Sequence, residues 1–275
     1  MREALARNIS RFRKDRELTQ EALANILGIS FQAVSKWETG QTVPDTLLIA
    51  DIAKALHVST DKLLGYSAYK DEVTFYETQY KKEGYIWGIN PNRNCLKVME
   101  LLPPVVALKL LDVGCGEGKD AVFFARCGYE VTAFDISEAG LEKTKRLADK
   151  ARVPIKTFRA NILDYRLSEE YDIIFSSGVL HYLKPELRSE IMENYKSYVK
   201  TGGIVAMNVF VEKPFIAPQP ENEAHHSYLW KSGQLLNYFH DWYVESFKEY
   251  IFDCNSSEIL HKHAMNVLFA KNCNE

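Results

Sequence analysis

The 275-residue sequence lacks the features that mark several large protein classes. No apolar run approaches the ~18 residues that span a bilayer, so no membrane partner is expected. The first sixteen residues are charged and have no apolar core of a signal peptide. The five cysteines are widely spaced and form no C-x-x-C, which favours reduced thiols over a disulfide scaffold. These absences predict a cytoplasmic protein.

The chain also has little net charge, with 34 basic against 37 acidic residues. A protein so close to neutral is not a general polyanion binder, so any nucleic-acid contact must come from a local patch. Residues 1–16 provide such a patch, because they carry six basic and two acidic side chains. Hydrophobic residues make up 46% of the chain, which argues against a largely disordered protein.

The pattern of secondary structure changes along the chain. Residues 1–64 alternate short helical patterns with brief breaks, whereas beyond about residue 105 short β-rich runs alternate with amphipathic helices. Such alternation predicts a parallel α/β sheet. We therefore predict a small all-helical domain over 1–66, a helical connector over 67–104 and an α/β domain over 105–275.

The helical domain contains two short helices joined by a tight turn with a glycine. Thr19 is the expected N-cap of the first of them and Gly28 its left-handed C-cap, while Val34 and Trp37 are expected to face inward from the second. The series T-Q-E-x-L-A, G-I-S, V-S-x-W-E-x-G and L-x-x-I-A-x-A-L over residues 6–64 resembles the Cro and phage-repressor helix-turn-helix family.

That resemblance implies double-stranded DNA as a partner. Gln20 would contact a phosphate, and the recognition helix would present Ser30, Gln32, Ser35 and Lys36 to the major groove. Since one such domain binds DNA weakly, a homodimer that reads two half-sites follows from this interpretation. The alternative is a helical module for protein–protein contact, which the near-neutral charge of residues 1–66 favours slightly.

A glycine-rich loop lies in the segment LKLLDVGCGEGKDAVFFARCGYEVTAFD. An apolar strand from Leu108 to Val113 runs into this loop, where glycines let the backbone turn sharply and approach a ligand. The next strand ends in Asp135, whose carboxylate can accept hydrogen bonds from both hydroxyls of a ribose. The spacing G-x-G-x-G fits a dinucleotide pyrophosphate poorly. Another nucleotide site, or a purely structural turn, is the alternative.

The string D-V-G-C-G-E-G, followed by a strand that ends in Asp, resembles the class I S-adenosylmethionine-dependent methyltransferases over residues 105–271. The resemblance implies a Rossmann-like α/β fold with a seven-stranded, mostly parallel sheet, and S-adenosyl-L-methionine as cofactor. Asp112 would orient the loop or bind the methionine amino group, and Asp135 would hold the ribose hydroxyls. The other implied cofactor contacts are Gly114, Cys115, Gly116 and Gly118 through the backbone, Ile136 on the adenine, Asn161 and Ile162 at its edge, and Ser177 near the methionine.

The methyl acceptor is expected to be a small molecule. DNA is disfavoured, because the position after strand four reads S-S-G-V and not N/D-P-P-Y/F, and the Pro-Cys nucleophile of cytosine C5 enzymes is absent. Y-I-W-G ahead of the domain and E-x-L-H-K near its end resemble the tellurite-resistance methyltransferases. That resemblance implies a tellurite- or selenite-type oxyanion, or a thiol, and His261 with Lys262 as the His-plus-basic pair that assists.

An acceptor pocket is expected between the fifth strand and the final strand. Candidate contacts there are His225, His226, Tyr228 and Trp230. His261 and His263 alternate along the final strand, so they share one face and are catalytic candidates together with Lys262. Asp253 and Cys254 lie near enough in sequence to suggest a metal, but no spacing matches a known zinc pattern, so no metal is predicted.

The connector is the last segment that bears on function. Its aromatic residues Tyr76, Tyr80, Tyr85 and Trp87 could cover the cofactor as a lid, or could belong to an ordinary helix packed on the sheet. The main interpretation is a small-molecule methyltransferase joined to a DNA-binding module. One alternative is a transcriptional regulator that senses S-adenosylmethionine or a metabolite without turnover. The other is an enzyme whose helical domain serves in dimerisation or docking.

Overall fold

The chain forms two compact units, Met1–Glu72 and Val73–Glu275. The computed structural model describes residues 2–65, 75–218, 227–254 and 259–273. Among the helices of these residues, none has both the length and the apolar character needed to cross a membrane. None of the five cysteines, which all lie within the described ranges, forms a disulfide.

Short helices build the first unit. They are α1 (Arg2–Asp15), α2 (Gln20–Leu27), α3 (Phe31–Glu38), α4 (Ile49–Ala55) and α5 (Thr60–Leu64), with a 3-10 turn at Thr46–Leu48. The hydroxyl of Thr19 accepts a hydrogen bond from the Ala22 amide at 3.0 Å, and Gly28 ends α2 with a φ of 65°. Both predicted helix caps are therefore confirmed.

The core of this unit lies among α1, α2, α3 and α4. Ile9, Leu23 and Ile52 are fully buried there. Val34 and Trp37 of α3 also point into this core, as the sequence predicted. The exposed residues of α3 are Phe31, Gln32 and Lys36.

The second unit alternates strands and helices. In chain order these are α6 (Phe75–Tyr80), α7 (Arg93–Leu101), β1 (Lys109–Val113), α8 (Lys119–Cys127), β2 (Glu130–Asp135), α9 (Glu138–Ala151), β3 (Lys156–Arg159), β4 (Tyr171–Ser176), α10 (Arg188–Ser197), β5 (Val199–Val211), α11 (Gln234–Asn237), β6 (Tyr243–Cys254) and β7 (His261–Lys271). Two 3-10 turns, Leu180–Tyr182 and Pro185–Leu187, lie between β4 and α10.

The strands form one seven-stranded sheet in the order β3-β2-β1-β4-β5-β7-β6. β1 pairs in parallel with both β2 and β4, and β7 is antiparallel to both of its neighbours. The predicted seven-stranded, mostly parallel sheet is therefore confirmed. Since the strand order reverses between β1 and β4, a crevice for a ligand is expected beyond the carboxyl ends of these strands.

Apolar clusters cover both faces of the sheet. Trp230, expected as an acceptor contact, belongs to one of them, because it is fully buried and its indole nitrogen donates to the Leu180 carbonyl at 3.0 Å. The guanidinium of Arg188 lies 4.3 Å from the centre of the same ring. Trp230 thus supports the fold and does not line an open pocket, while His225 and His226 lie outside the described residues.

Candidate cofactor site and DNA-binding surface

The loop between β1 and α8 can be built only with glycine at three places. Gly114, Gly116 and Gly118 have φ values of 71°, 54° and 84°, a region that side-chain-bearing residues rarely adopt. A Cβ atom on Gly114 would lie 2.6 Å from the side chain of Val179, and one on Gly118 would lie 2.6 Å from Thr144. The G-x-G-x-G spacing therefore reflects both backbone conformation and close packing.

The structure brings Asp135 and this loop together. One carboxylate oxygen of Asp135 accepts a hydrogen bond from the Gly116 amide at 2.8 Å, and the other accepts one from the Ser137 amide at 2.9 Å. Burial raises the pKa of Asp135, although these backbone hydrogen bonds oppose the shift. Asp135 is held rigidly at the end of β2, where a ribose would be bound.

Asp112 is the most unusual group of the site. Its side chain is buried at 2% exposure, and among the described residues its Oδ2 atom has no hydrogen-bond partner. Burial raises its pKa well above the usual value, and the nearby carboxylates of Asp120 and Asp135 add to the shift. A buried acceptor without a partner is costly unless a ligand supplies the donor. The ammonium of a methionine moiety is such a donor, so the residues present fit S-adenosylmethionine.

Ser177 lies in a polar network at the ends of β4 and β5. Its hydroxyl oxygen accepts hydrogen bonds from Asn92 at 3.1 Å and from Asn208 at 3.0 Å. The side-chain oxygen of Asn208 accepts the Gly178 amide at 2.8 Å, and the Asn92 amide donates to Asp120 at 2.6 Å. Asn208 was not predicted from the sequence. It is the single polar side chain of the apolar segment GGIVAMNVF, and a polar residue in such a strand indicates a site residue.

The three residues predicted to contact the adenine do not share one environment. Ile136 is half-buried directly after Asp135, and the Asn161 side chain accepts the Leu163 amide at 3.0 Å in a local turn. Ile162 packs its side chain into the core at 7% exposure. Ile136 and Asn161 lie just beyond neighbouring strand ends, whereas the Ile162 side chain contributes to the core. Their cofactor roles stay predictions.

Helix α6 packs directly against the glycine loop. The hydroxyl of Tyr80 lies 2.9 Å from the position that a Cβ on Gly116 would take, and Tyr76 stacks on Tyr80 with ring centres 5.5 Å apart. The Glu77 carboxylate anchors the helix, because it accepts the Ser137 hydroxyl at 2.6 Å. Of the aromatic residues in the lid prediction, Tyr80 therefore packs against this loop and Tyr76 stacks on Tyr80, while the lid role itself stays a prediction.

A buried ion pair ties the rest of the connector to the same loop. Lys143 Nζ lies 2.7 Å from a carboxylate oxygen of Glu117, and the two side chains are 5% and 2% exposed. The other Glu117 oxygen accepts the Ile86 amide at 2.8 Å, and Lys143 also donates to the Gly84 carbonyl at 2.6 Å. Sequence reasoning missed this pair, because Glu117 occupies a variable position of the glycine motif.

His181 is a further buried group beside the network. Burial lowers the pKa of His181 to about 3, with a smaller contribution from His263, so the ring is neutral at physiological pH. Its Nδ1 atom has no hydrogen-bond partner among the described residues. The ring lies against Tyr182 and Phe210, with centroid distances of 4.2 and 4.6 Å. His181 was not singled out from the sequence, where it is the lone histidine of GVLHYL.

The predicted catalytic residues lie at the start of β7. The Nε2 atoms of His261 and His263 are 2.9 Å apart, whereas the Lys262 ammonium pairs with Asp253 at 2.6 Å. His263 and Lys262 both line a cavity of about 150 Å³, together with Lys213 and other residues of β5 and its following turn. The structure thus joins the two histidines, and their catalytic roles and that of Lys262 stay predictions.

The first unit presents the predicted DNA-contacting face. Ser30, Gln32 and Lys36 are exposed on or beside α3, and Ser35 is half-buried. Gln20 is already engaged, because its side-chain amide donates to Glu38 at 2.9 Å. If Gln20 contacts a DNA phosphate as predicted, its side-chain NH2 group must donate to both the phosphate and Glu38.

Arg13 of the basic α1 belongs to the core of the unit and not to its surface. Its guanidinium donates to both carboxylate oxygens of Glu38, at 2.5 and 2.9 Å. Burial alone would raise the pKa of Glu38, but the hydrogen bonds from Arg13 and Gln20 outweigh burial and lower it. The positive potential of α1 is therefore weaker than the count of its basic residues indicates.

Two family models match the chain. Residues 79–264 match the family described as tellurite resistance protein TehB, and residues 9–63 match the family described as helix-turn-helix. The first match spans most of the second unit and the second most of the first unit. They divide the chain in the same order as the two compact units.

Individual relatives agree with these matches. The chain is 29% identical over 152 residues to hemagglutinin 1 of Eikenella corrodens, covering 55% of this chain and 49% of that protein. It is also 29% identical over 144 residues to the probable S-adenosyl-L-methionine-dependent methyltransferase TehB of Haemophilus influenzae, covering 51% of this chain and 48% of that protein. The chain therefore spans about half the length of these relatives.

A solved structure supports the fold. The crystal structure of TehB from Haemophilus influenzae superposes with a TM-score of 0.58 at 20% identity, covering 72% of this chain and 66% of that one. The glycine loop, the sheet order and the family match agree with one another. The chain belongs to the tellurite resistance protein TehB family and carries a helix-turn-helix domain ahead of its methyltransferase fold.

Proposed function

We propose that the second unit transfers the methyl group of S-adenosylmethionine to a small acceptor. The observation that carries this proposal is the unpartnered Oδ2 of buried Asp112 beside the glycine loop and Asp135. A cationic amino acid moiety satisfies that oxygen, and a ribose suits the carboxylate at the end of β2. The family membership of the chain supports the same cofactor.

The protein's contribution to this chemistry is binding, orientation and the exclusion of water. A sulfonium methyl group, when bound, is already electrophilic, so no metal or nucleophilic triad is needed for its transfer. Asp112 and Asp135 fix the two ends of the binding site, and Ser177 with its asparagine partners fixes the wall next to β4. Tyr76 and Tyr80 close the loop from solvent.

The acceptor in this proposal is a tellurite- or selenite-type oxyanion or a thiol. Two observations support a small acceptor: the family match and the absence of a DNA methyltransferase motif after β4. The cavity at β5 and β7 is the candidate acceptor pocket in this proposal. Lys213 and Lys262 line this cavity and favour an anion, although each also has a carboxylate partner.

The proposal is tested by binding and turnover in one series. Calorimetry with S-adenosylhomocysteine should show one site per chain, and Asp135→Ala should weaken it by a few kcal/mol if both ribose hydrogen bonds are lost. Product formation is then measured with tellurite, selenite, thiols and amines. Binding without turnover on any acceptor would favour a sensor of the cofactor, and the absence of binding would refute the assignment.

We also propose that the first unit binds double-stranded DNA as part of a homodimer. The exposed Gln32 and Lys36 on α3 and the helix-turn-helix family match support this proposal. Mobility shifts over a salt series, on duplexes selected from a random library, should weaken with salt as counterions are released. Lys36→Ala should lower the affinity or the salt slope, whereas Lys54→Ala, on exposed α4 surface, is the matched control. Sedimentation of the free protein and the complex gives the oligomeric state.

A further inference from the structure

The outer hairpin of the sheet brings together three side chains that bind transition metals. Cys254 ends β6 and His261 begins β7, and the register places these two residues directly opposite each other. His263 follows two residues later, so all three share one face of the antiparallel pair. One ligand atom from each side chain lies within 4.8 Å of the other two.

The two imidazoles already converge. Their Nε2 atoms are 2.9 Å apart, while two nitrogens bound to one tetrahedral zinc ion at 2.0–2.1 Å lie about 3.3 Å apart. The rings would therefore have to move by only a few tenths of an ångström to share an ion. The rigid β-pairing of β6 and β7 limits the cost of this arrangement, because both strands are fixed by backbone hydrogen bonds before any ion binds.

The tautomer of His261 is set in the way that metal sites require. Its Nδ1 lies 2.7 Å from the Ile259 carbonyl, which can only accept, so Nδ1 carries the proton of the neutral ring. The lone pair is then on Nε2 and points at His263. A backbone carbonyl that holds the outer nitrogen of a histidine is a common partner of ligating imidazoles, because it fixes the ring and raises its basicity.

An apolar wall surrounds His263. The Phe210 ring stacks on it at 4.5 Å and 8°, and Phe252, opposite His263 in the register, lies 5.6 Å away. His263 also lines the cavity of about 150 Å³ described above. Three protein ligands leave a fourth position for water or a small exogenous ligand, as in open zinc sites, and His263 is the ligand that borders the cavity.

We propose that Cys254, His261 and His263 form a binding site for a zinc-class divalent ion, with one coordination position open. On binding, the thiol of Cys254 loses its proton to solvent, and the proton of neutral His263 moves through solvent from Nε2 to Nδ1, so that Nε2 can ligate the ion. The affinity therefore rises with pH. The site stands on the geometry of the hairpin alone and does not depend on the cofactor assignment.

Cobalt substitution in the full chain tests the site directly. Chelator-treated protein is titrated with Co²⁺ and then with Zn²⁺. We expect one ion per chain, a thiolate-to-cobalt charge-transfer band, and loss of that band when Zn²⁺ replaces Co²⁺. Cys254→Ser should abolish the band, and Cys273→Ser, at an exposed thiol elsewhere, should keep it. Zn²⁺ should also raise the melting temperature of the wild-type protein.

Histidine variants distinguish a metal site from a hydrogen bond between the two imidazole rings that binds no ion. His261→Gln should weaken Co²⁺ binding at least tenfold, whereas His240→Gln, on an exposed histidine of the same unit, should leave it unchanged. Absence of any charge-transfer band, or a band that survives Cys254→Ser, would overturn the proposal. Binding of S-adenosylhomocysteine, measured on the same variants, reports folding and keeps this test separate from that of the cofactor site.

Discussion

Replacing Asp112 with asparagine distinguishes the two roles that the sequence allowed for this residue. The side chain is nearly isosteric, so the backbone hydrogen bond that Ala121 makes to Asp112 can be retained. The negative charge is removed from a place where it is buried and where Oδ2 has no partner among the described residues. If Asp112 binds the methionine ammonium, the variant should lose cofactor affinity. If Asp112 orients the loop, the variant should lose stability instead.

The magnitudes follow from the burial. A hydrogen bond to a charged partner contributes about 1.5–3 kcal/mol, so the dissociation constant of S-adenosylhomocysteine should rise about 10- to 150-fold. The free protein should not be destabilised at neutral pH, and a gain of about 1 kcal/mol is expected, because the amide leaves one unpaired N–H in place of an unpaired buried charge.

The pH dependence of folding stability also predicts that Asp112→Asn is more stable than the wild type at neutral pH. The pKa of Asp112 is raised in the folded state, so the folded protein binds the proton more tightly than the unfolded chain does. The carboxyl group therefore lowers the stability of the wild type as pH rises above its ordinary pKa of 3.8. The stability advantage of Asp112→Asn should be absent below that pH and should grow above it.

Calorimetry and urea unfolding of the free proteins measure both quantities. Asp172→Asn is the matched control, because Asp172 accepts Lys200 Nζ at 2.9 and 3.0 Å and the Lys109 amide at 2.8 Å. This control should lose stability and keep its affinity for S-adenosylhomocysteine. If Asp112→Asn lowers the stability of the free protein and leaves the affinity for S-adenosylhomocysteine unchanged, the ligand role is refuted and Asp112 is a structural residue.

Three further substitutions probe other contacts. Gly118→Ala should unfold at clearly lower urea and lose cofactor binding, because its φ is 84° and its Cβ would meet Thr144 at 2.6 Å. Glu38→Ala should cost the helical unit about 3 kcal/mol in a thermal melt of the full chain, since it leaves the buried charge of Arg13 unpaired. Lys143→Met should cost about 3–5 kcal/mol by urea unfolding, because it leaves a buried carboxylate without its cation.

Each of these has a control within the chain. Gly202→Ala has a similar φ of 81° but no atom within 4 Å of the new Cβ, so it isolates backbone strain from the clash. Glu21→Ala, on an exposed position of α2, should change stability by less than about 0.5 kcal/mol. Adding Glu117→Gln to Lys143→Met should recover part of the loss. A double variant no more stable than the single one would contradict the ion-pair argument.

The fold was predictable where local patterns and global packing agree. The β-rich runs LKLLDVG, YEVTAFD, PIKTFRA, YDIIFSS and GGIVAMNVF contain the strands β1 to β4 and most of β5. The central strands β1 and β4 were the clearest of these, because buried parallel strands read as nearly continuous apolar segments. β6 was missed for the opposite reason. Its sequence YVESFKEYIFDC mixes charged and aromatic residues without clean alternation, and it lies at the edge of the sheet with most positions partly exposed.

The backbone conformation of the glycine loop could be predicted from the sequence, but most side-chain pairings around it could not. Positive φ values fall on Gly114, Gly116 and Gly118, which the motif indicated. The Asn208–Ser177 hydrogen bond joins residues 31 positions apart, and the Glu117–Lys143 pair joins residues 26 positions apart. No local pattern reports such pairings, since they exist only after β4, β5 and α9 have packed.

The attachment of the connector to the glycine loop has a kinetic consequence. Tyr80 lies against Gly116, and Glu117 accepts the Ile86 amide, so the lid prediction implies that a molecule as large as an adenosyl amino acid would displace this stretch of chain to enter or leave. Opening that stretch breaks a few hydrogen bonds and aromatic contacts and leaves the sheet intact. Each turnover would then include one opening and one closing of residues 75–87 to exchange spent for fresh cofactor.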